Sequence, residues 1–308
     1  MKSPRLLVSL PDGALKSALA GVNSDVEFIE WDMSRPALFN EIDVVVPPYF
    51  SGTKPLAQLA GVKTRLVQSQ SVGYDGVAKA LPPGHVFANA TTVHETSTAE
   101  LTLALILASQ RGIPDFVRDA RDGRWAPSWR ESLADRHVLL VGYGGVGRAI
   151  EARLAPFEVS LTRVALRERA DERGVIHGFE ALHDLLASAD VVIVAVPLTE
   201  GTTRLIDDAF LRQMRDGTLI VNIARGKVAD TKALLEHAST GRLRLALDVT
   251  DPEPLPGGHP LFSLPNVLIS PHVGGMSTSM LPRMAKLLSE QIDRMLRGEE
   301  PLNVVVRS

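Results

Sequence analysis

Three charged side chains, Arg225, Glu253 and His272, each lie shortly after an apolar run in the second half of the chain. Such runs predict buried strands of a parallel sheet. The runs are Leu219–Ile223, Leu243–Val249 and Val267–Ser270. Because the carboxyl ends of parallel strands meet at one edge of a sheet, we expect the three side chains to lie close together.

These side-chain types suit one reaction, the reduction of a 2-keto acid or its reverse. Arg225 offers a permanently charged fork for the substrate carboxylate and carbonyl. His272 can give the carbonyl oxygen a proton as hydride arrives, and Glu253 would orient its ring and favour the imidazolium. Each residue also has an ordinary structural explanation: a strand-end cap, an exposed loop acid and a packed turn histidine. Their order after a nucleotide-binding pattern favours the catalytic interpretation.

That nucleotide-binding pattern is a glycine-rich turn after the apolar run Val138–Val141. Gly142, Gly144 and Gly147 fit the spacing G-x-G-x-x-G. The first glycine permits a tight turn, the second lets the backbone approach a pyrophosphate, and the third lets the following helix pack closely. Glycines that only close a strand-to-helix turn are the alternative, but the β/α units that follow favour a dinucleotide site.

The position that selects between NAD(H) and NADP(H) lacks its usual acid. An acid about 20 residues after the glycine turn would hold the ribose 2′-hydroxyl of NAD. Here Arg167 occupies that region, with Arg163 and Arg169 as second candidates, and a guanidinium would pair with a 2′-phosphate. The sequence therefore favours NADP(H). Glu168 keeps NAD(H) possible, and a solvated basic loop is the structural alternative.

The remaining chain predicts an α/β fold with two domains. Residues 1–93 alternate short strands with helical segments, and β/α alternation resumes after the glycine turn. An amphipathic helix over Ser279–Leu296 would return to the first domain. We expect a Rossmann doubly wound parallel sheet, residues 96–279, inserted into a smaller flavodoxin-like α/β substrate domain made of residues 1–95 plus 280–308.

Composition excludes several classes of protein. The 308 residues contain 33 Lys plus Arg and 36 Asp plus Glu, so no basic excess suggests nucleic acid. Cysteine is absent, which rules out disulfides, and no His, Asp and Glu spacing suggests a metal site. The apolar run Leu6–Leu10 is too short for a signal peptide and Leu101–Ala108 for a membrane span. We expect a cytoplasmic protein.

The sequence resembles the D-isomer-specific 2-hydroxyacid dehydrogenase family from about Leu66 to Val305. The motifs that carry the resemblance are the glycine turn, Val196-Pro197-Leu198-Thr199, Asn222-Ile223-Ala224-Arg225-Gly226, Asp251-Pro252-Glu253-Pro254-Leu255 and Ser270-Pro271-His272. The resemblance implies catalytic Arg225, Glu253 and His272, and a homodimer built largely on the nucleotide domains. It implies that backbone N–H groups at Val72 and Gly73 hold the substrate carboxylate. The missing acid after the second strand departs from the family pattern.

The resemblance also implies a set of cofactor contacts, with Asp248 near the nicotinamide carboxamide. The set is Thr98, Gly142, Gly144, Gly145, Val146, Gly147, Arg167, Val196, Pro197, Thr202, Ile223, Ala224, Asp248 and Gly274. Glyoxylate and hydroxypyruvate are plausible small substrates. Tyr49 and Phe50 could line a pocket for a larger side chain, although simple loop packing explains this pair better.

Two other functions compete with this one. A nucleotide-sensing corepressor or scaffold would use the same fold with little turnover, but the complete Arg-Glu-His set favours chemistry. A dehydrogenase of another nicotinamide class, such as an L-amino-acid type, would need a lysine near the nicotinamide. Lys227, just past Arg225, is the only nearby candidate.

Overall fold

The computed structural model describes residues 5–21 and 25–308. Residues 1–4 and 22–24, which fall in the predicted substrate domain, lie outside the described residues. The chain divides into two compact units. The first unit holds residues 1–94 and 277–308, and the second unit holds residues 95–276.

The strands and helices are short for the most part, with two long helices of 17 residues. The strands are β1 Leu6–Leu10, β2 Val26–Glu30, β3 Val44–Val45, β4 Leu66–Gln68, β5 Val86–Ala88, β6 His137–Val141, β7 Ser160–Val164, β8 Arg169–Asp171, β9 Gly174–His177, β10 Val191–Val194, β11 Leu219–Asn222, β12 Arg244–Leu247, β13 Val267–Ile269 and β14 Val304–Arg307. The helices are α1 Gly13–Ala18, α2 Val77–Ala80, α3 Glu95–Arg111, α4 Ile113–Arg121, α5 Gly145–Leu154, α6 Leu182–Leu186, α7 Asp208–Gln213, α8 Thr231–Ser239 and α9 Met280–Leu296.

In the described part of the first unit, the sheet order is β14-β5-β4-β3-β1-β2. The strands β1 to β5 pair in parallel, and β14 joins antiparallel to β5. Helix α9 buries Met284, Leu288 and Ile292 in the core of this unit, because its apolar residues recur at helical spacing. Segments from both ends of the chain thus build one sheet and one core.

The second unit is built on a sheet whose order is β13-β12-β11-β10-β6-β7-β9-β8 among the described residues. All pairs are parallel except the hairpin β8–β9. Strand β6, the earliest of this sheet in the chain, has β7 on one side and β10 on the other, so the strand order reverses there. In open parallel sheets ligands bind beyond the carboxyl ends of the strands at such a reversal.

The predicted α/β class with a Rossmann sheet is confirmed, and most predicted strands appear within a residue or two of their expected ends. Pattern reading missed β5, the hairpin β8–β9 and α4. Strand β8 is exposed and polar, so it carries no apolar alternation that would reveal it. One of the helical segments expected in residues 1–93 is a 3₁₀ helix over Lys54–Leu59. Within residues 5–21 and 25–308, no helix is both long and apolar enough to span a bilayer.

Candidate active site

The predicted imidazole and carboxylate meet directly in the second unit. His272 Nδ1 lies 2.5 Å from Glu253 Oε1, and both side chains are partly open to solvent. With Nδ1 donating to the carboxylate, that hydrogen bond fixes the tautomer and the orientation of the ring. The backbone of His272 has a φ of +55°, in the left-handed region that few non-glycine residues adopt. Such conformations persist where the surrounding structure holds them, often at functional sites.

Asp248 holds the turn that carries His272. Its carboxylate is buried, 3% exposed, and accepts three hydrogen bonds from that turn. The donors are Ser270 Oγ at 2.6 Å, Val273 N at 2.9 Å and Gly274 N at 2.9 Å. The Asp248 carbonyl also accepts the His272 N–H at 2.8 Å. Asp248 therefore fixes the left-handed turn, while its expected proximity to a nicotinamide carboxamide stays a prediction.

Arg225 lies in the loop after β11, in a conformation set by the strand's last residue. Asn222 is buried, donates to the Arg225 carbonyl at 3.2 Å and accepts the Ala224 N–H at 3.1 Å. At Gly226, an added Cβ would lie 1.8 Å from the Thr250 carbonyl oxygen. The loop of Arg225 therefore packs tightly on the loop that leads from β12 to Glu253.

The three glycines of the turn after β6 have three different surroundings. Gly142 has a φ of +106°, and a Cβ there would lie 2.5 Å from the Ala195 carbonyl. A Cβ on Gly147 would lie 2.3 Å from the Gly142 carbonyl oxygen, so helix α5 packs directly on the turn. A Cβ on Gly144 would meet no protein atom within 4 Å. This space at the start of α5 fits a pyrophosphate, as the motif predicts.

The other predicted cofactor residues in the second unit have mixed surroundings. Thr98, near the start of α3, lies beside Gly274, since a Cβ on that glycine would be 3.4 Å from its hydroxyl and methyl groups. The Thr202 hydroxyl donates to the Pro197 carbonyl at 2.6 Å, so it stabilises its own loop. The remaining residues border the carboxyl ends of strands or the start of α5, some buried and some exposed: Gly145, Val146, Val196, Pro197, Ile223 and Ala224.

The arginines after the glycine turn differ sharply in exposure. Arg167 is exposed, as expected for a residue that could meet a phosphate. Arg169 is also exposed, and its Nη2 donates to the Tyr143 carbonyl at 3.0 Å, within the glycine turn. Arg163 is only 4% exposed and makes internal contacts, so its suggestion as a second phosphate-binding candidate is wrong.

In the first unit, the loop Val72–Gly73 is held by a buried amide. Asn89 Nδ2 donates to the Val72 carbonyl at 2.8 Å. Among the described residues, no acceptor takes the backbone N–H of Val72 or Gly73. These groups are therefore available to an anion. Elsewhere in the first unit, Tyr49 contacts Phe50, with ring centroids 4.1 Å apart.

Sequence reasoning overlooked three supporting residues, Asn222, Gly226 and Tyr143. Each lies inside a quoted motif, so the motifs pointed to the right segments without revealing these contacts. Lys227, the candidate for a different nicotinamide class, is exposed. Within the described ranges, no group of three or more His, Asp and Glu side chains could hold a metal ion.

One parallel sheet carries the dinucleotide-binding glycine turn, the exposed arginines that follow β7 and the Glu–His pair. Together these features define a nicotinamide-dependent oxidoreductase of the α/β class. The chain belongs to the D-isomer specific 2-hydroxyacid dehydrogenase family, whose NAD binding domain matches residues 103–274. This result confirms the resemblance seen in the motifs.

Named relatives extend the match to most of the chain. A glyoxylate reductase of Thermofilum pendens is 34% identical, over 79% of this chain and 75% of the relative. A glyoxylate reductase/hydroxypyruvate reductase of Mus musculus is 32% identical, over 97% of this chain and 98% of the relative. Among solved structures, a D-isomer specific 2-hydroxyacid dehydrogenase of Xanthobacter autotrophicus in complex with NADPH is 28% identical, with a TM-score of 0.83 over 99% of both chains.

Proposed function

We propose that this protein reduces a small 2-keto acid to a D-2-hydroxy acid with NADPH. The observation that carries the proposal is the contact of 2.5 Å between His272 and Glu253 at the carboxyl edge of the sheet that bears the glycine turn. The named relatives, which are glyoxylate and hydroxypyruvate reductases, support this reaction and these substrates. No feature of the described residues favours the nucleotide-sensing scaffold.

The chain's own residues divide the work of binding and proton transfer. A bound dinucleotide would supply the hydride to the substrate carbonyl carbon. Arg225 binds the substrate carboxylate and polarises its carbonyl through charge-assisted hydrogen bonds. His272 gives the carbonyl oxygen a proton from Nε2, while Glu253 keeps the ring oriented through Nδ1. In the reverse direction the same imidazole takes up the hydroxyl proton.

Residues of the second unit would hold the dinucleotide. Backbone N–H groups at the start of α5 and the open face of Gly144 would bind the pyrophosphate. Thr98, Asp248 and Gly274, which lie next to one another, would hold the nicotinamide end. The Xanthobacter relative, solved with NADPH, supports NADP(H) over NAD(H). The exposed Arg167, in place of a 2′-hydroxyl-binding acid, supports the same choice.

For the loop Val72–Gly73 of the first unit, we propose binding of the substrate carboxylate. The available N–H groups of Val72 and Gly73 suit two oxygens of a carboxylate. Glyoxylate and hydroxypyruvate are the smallest candidates. The aromatic pair Tyr49 and Phe50 would favour larger apolar keto acids if it lines the side-chain end.

The protein acts as a cytoplasmic homodimer in this proposal. Helix α4 has no buried residue, and the loop after it exposes Trp125 and Trp129 almost completely, at 96% and 101%. Exposed tryptophans so close together are typical of an interaction surface. A second copy of the chain is the partner that we expect there. Sedimentation of the purified protein tests the dimer, and cell fractionation tests the location.

A panel of 2-keto acids, each assayed with NADPH and with NADH, tests the function. We expect oxidation of NADPH with glyoxylate and hydroxypyruvate. No oxidation of either cofactor by any keto acid would contradict the enzyme and favour a sensor. A preference for NADH of tenfold or more, about 1.4 kcal/mol, would contradict the cofactor assignment alone.

A further inference from the structure

Arg163 occupies an unusual place for an arginine, the interior of a parallel strand. It lies in β7, paired with Leu140 of β6 and Ile176 of β9, and only 4% of its surface is exposed. A buried guanidinium is costly unless hydrogen bonds and opposite charges satisfy it. The contacts of the Arg163 guanidinium should therefore indicate the function of this buried charge.

One set of those contacts holds the hairpin β8–β9. Arg163 Nη1 donates to Asp171 Oδ1 at 3.0 Å, and Nη2 donates to the Arg173 carbonyl at 2.6 Å. Asp171 Oδ1 also accepts the Arg173 N–H at 2.9 Å. Although desolvation opposes its ionisation, this N–H and the Arg163 charge lower the pKa of Asp171 overall. The fork of Arg163 thus closes the end of the hairpin.

The other contacts reach the glycine turn and its helix. The guanidinium carbon lies 5.3 Å from the centre of the Tyr143 ring, and Tyr143 is the residue between the first two glycines. Glu151 of α5 accepts a hydrogen bond from the Tyr143 hydroxyl, lies 3.5 Å from Arg163 Nη1 and accepts from Arg173 at 2.9 Å. Burial first, and the bond to Glu151 next, raise the pKa of Tyr143, so its hydroxyl stays a donor.

The buried guanidinium of Arg163 therefore connects β7 with the hairpin and with the glycine turn. The hairpin and the glycine turn both lie at the carboxyl end of β7. That end is where the adenosine ribose of a dinucleotide lies in this fold. Arg169 is the first residue of the hairpin and itself bonds the Tyr143 carbonyl at 3.0 Å. Arg167 lies in the short loop between β7 and the hairpin. The direction of both exposed arginines depends on where the hairpin lies.

We propose that Arg163 is a positioning residue for cofactor choice, which holds the hairpin so that Arg167 and Arg169 receive the 2′-phosphate of NADP(H). This inference rests on the NADP(H) preference of the proposed function. Arg163 does not touch the phosphate. Loss of its fork frees the hairpin, whereas the packing of Gly142 and Gly147 keeps the pyrophosphate turn in place. Binding of the 2′-phosphate therefore weakens more than binding of the rest of the dinucleotide.

Two adenosine fragments isolate this effect from catalysis. Calorimetry gives the Kd of 2′,5′-ADP, which carries the 2′-phosphate, and of 5′-AMP, which lacks it. For the unaltered protein we expect 2′,5′-ADP to bind at least about tenfold more tightly, the value of one charge-assisted contact. In Arg163→Met this ratio should fall to about threefold or less, with the Kd of 5′-AMP changed less than about twofold.

Matched variants keep the result interpretable. Arg153, a partly buried arginine of α5, donates to the Ala149 carbonyl and lies near Glu100. As a control, Arg153→Met should leave the ratio of the two Kd values unchanged. Arg163→Lys keeps the charge without the fork, so an intermediate ratio is expected. It also replaces Arg163→Met if thermal melting shows that the methionine variant does not fold.

The outcomes separate the two proposals. A normal ratio in the unaltered protein that persists in both Arg163 variants would overturn the positioning role and leave the NADP(H) assignment intact. Equal affinity for both fragments in the unaltered protein would overturn the NADP(H) assignment, and the positioning role with it. An equal loss in Arg153→Met would show that any lost arginine on this side has the same effect, which also contradicts the proposal.

Discussion

Two corners of one sheet edge use arginine and its partners in opposite ways. In the proposed catalytic corner, Arg225, Glu253 and His272 lie in the loops that follow β11, β12 and β13, and buried Asp248 supports the turn of His272. In the adenosine corner, formed by the end of β7 and the hairpin β8–β9, the buried arginine lies in the strand. There Arg163 holds the hairpin β8–β9, and exposed arginines lie in and beside this hairpin.

The difference shows which site features are dictated by topology. Strand ends of a parallel sheet converge whatever the loops contain, so residues just past them meet. A hairpin added after a strand can lie in several directions, and its position depends on side-chain contacts. Changes in the catalytic corner should therefore alter kcat, and changes in the adenosine corner should alter cofactor affinity.

Among changes to residues that only support the catalytic corner, the largest effect is expected from Gly226→Ala. The new Cβ would lie 1.8 Å from the Thr250 carbonyl oxygen, so the loops of Arg225 and Glu253 must move apart. Misplacement by about 1 Å costs on the order of 100-fold, and we expect kcat/KM to fall by that factor. Gly257→Ala, where no atom lies within 4 Å, is the matched control. Equal activity of the two variants would mean that the loops are not in contact.

Asp248→Asn should have a smaller effect on the same corner. An amide in place of the carboxylate leaves at least one of the three donors of the His272 turn without an acceptor. A buried unsatisfied donor costs about 1–3 kcal/mol, so we expect thermal stability and kcat to fall together, kcat by about 30-fold. Steady-state kinetics and melting curves measure both. An unchanged melting temperature would show that the turn does not depend on this carboxylate.

The smallest effect, and the one that separates the corners, is expected from Arg167→Gln. Loss of one exposed guanidinium should raise KM for NADPH by about tenfold and leave kcat unchanged within about twofold. KM for NADH should stay nearly constant. Arg212→Gln, on the exposed face of α7, serves as the control. A fall in kcat for Arg167→Gln would erase the distinction between the two corners.

The features that the sequence predicts also differ between the catalytic corner and the adenosine corner. The glycine turn, the parallel sheet and the Glu253–His272 pair were predictable, because apolar runs mark strands and strand ends converge. The hairpin β8–β9 was not, since its exposed polar residues show no alternation, and Arg163 therefore looked like a surface cation. The network at Asp248 was also hidden, because hydrogen bonds to backbone N–H groups leave no pattern in residue types.

In keto acid reduction by this protein, His272 is expected to donate the proton. The most direct test is the single-turnover rate of NADPH oxidation by hydroxypyruvate in His272→Ala, measured beside the Kd of NADPH. We predict a rate lower by about 10²–10⁴-fold, the usual contribution of a general acid, with NADPH affinity within about twofold of the unaltered protein. A rate within a few-fold of the unaltered protein would contradict the account.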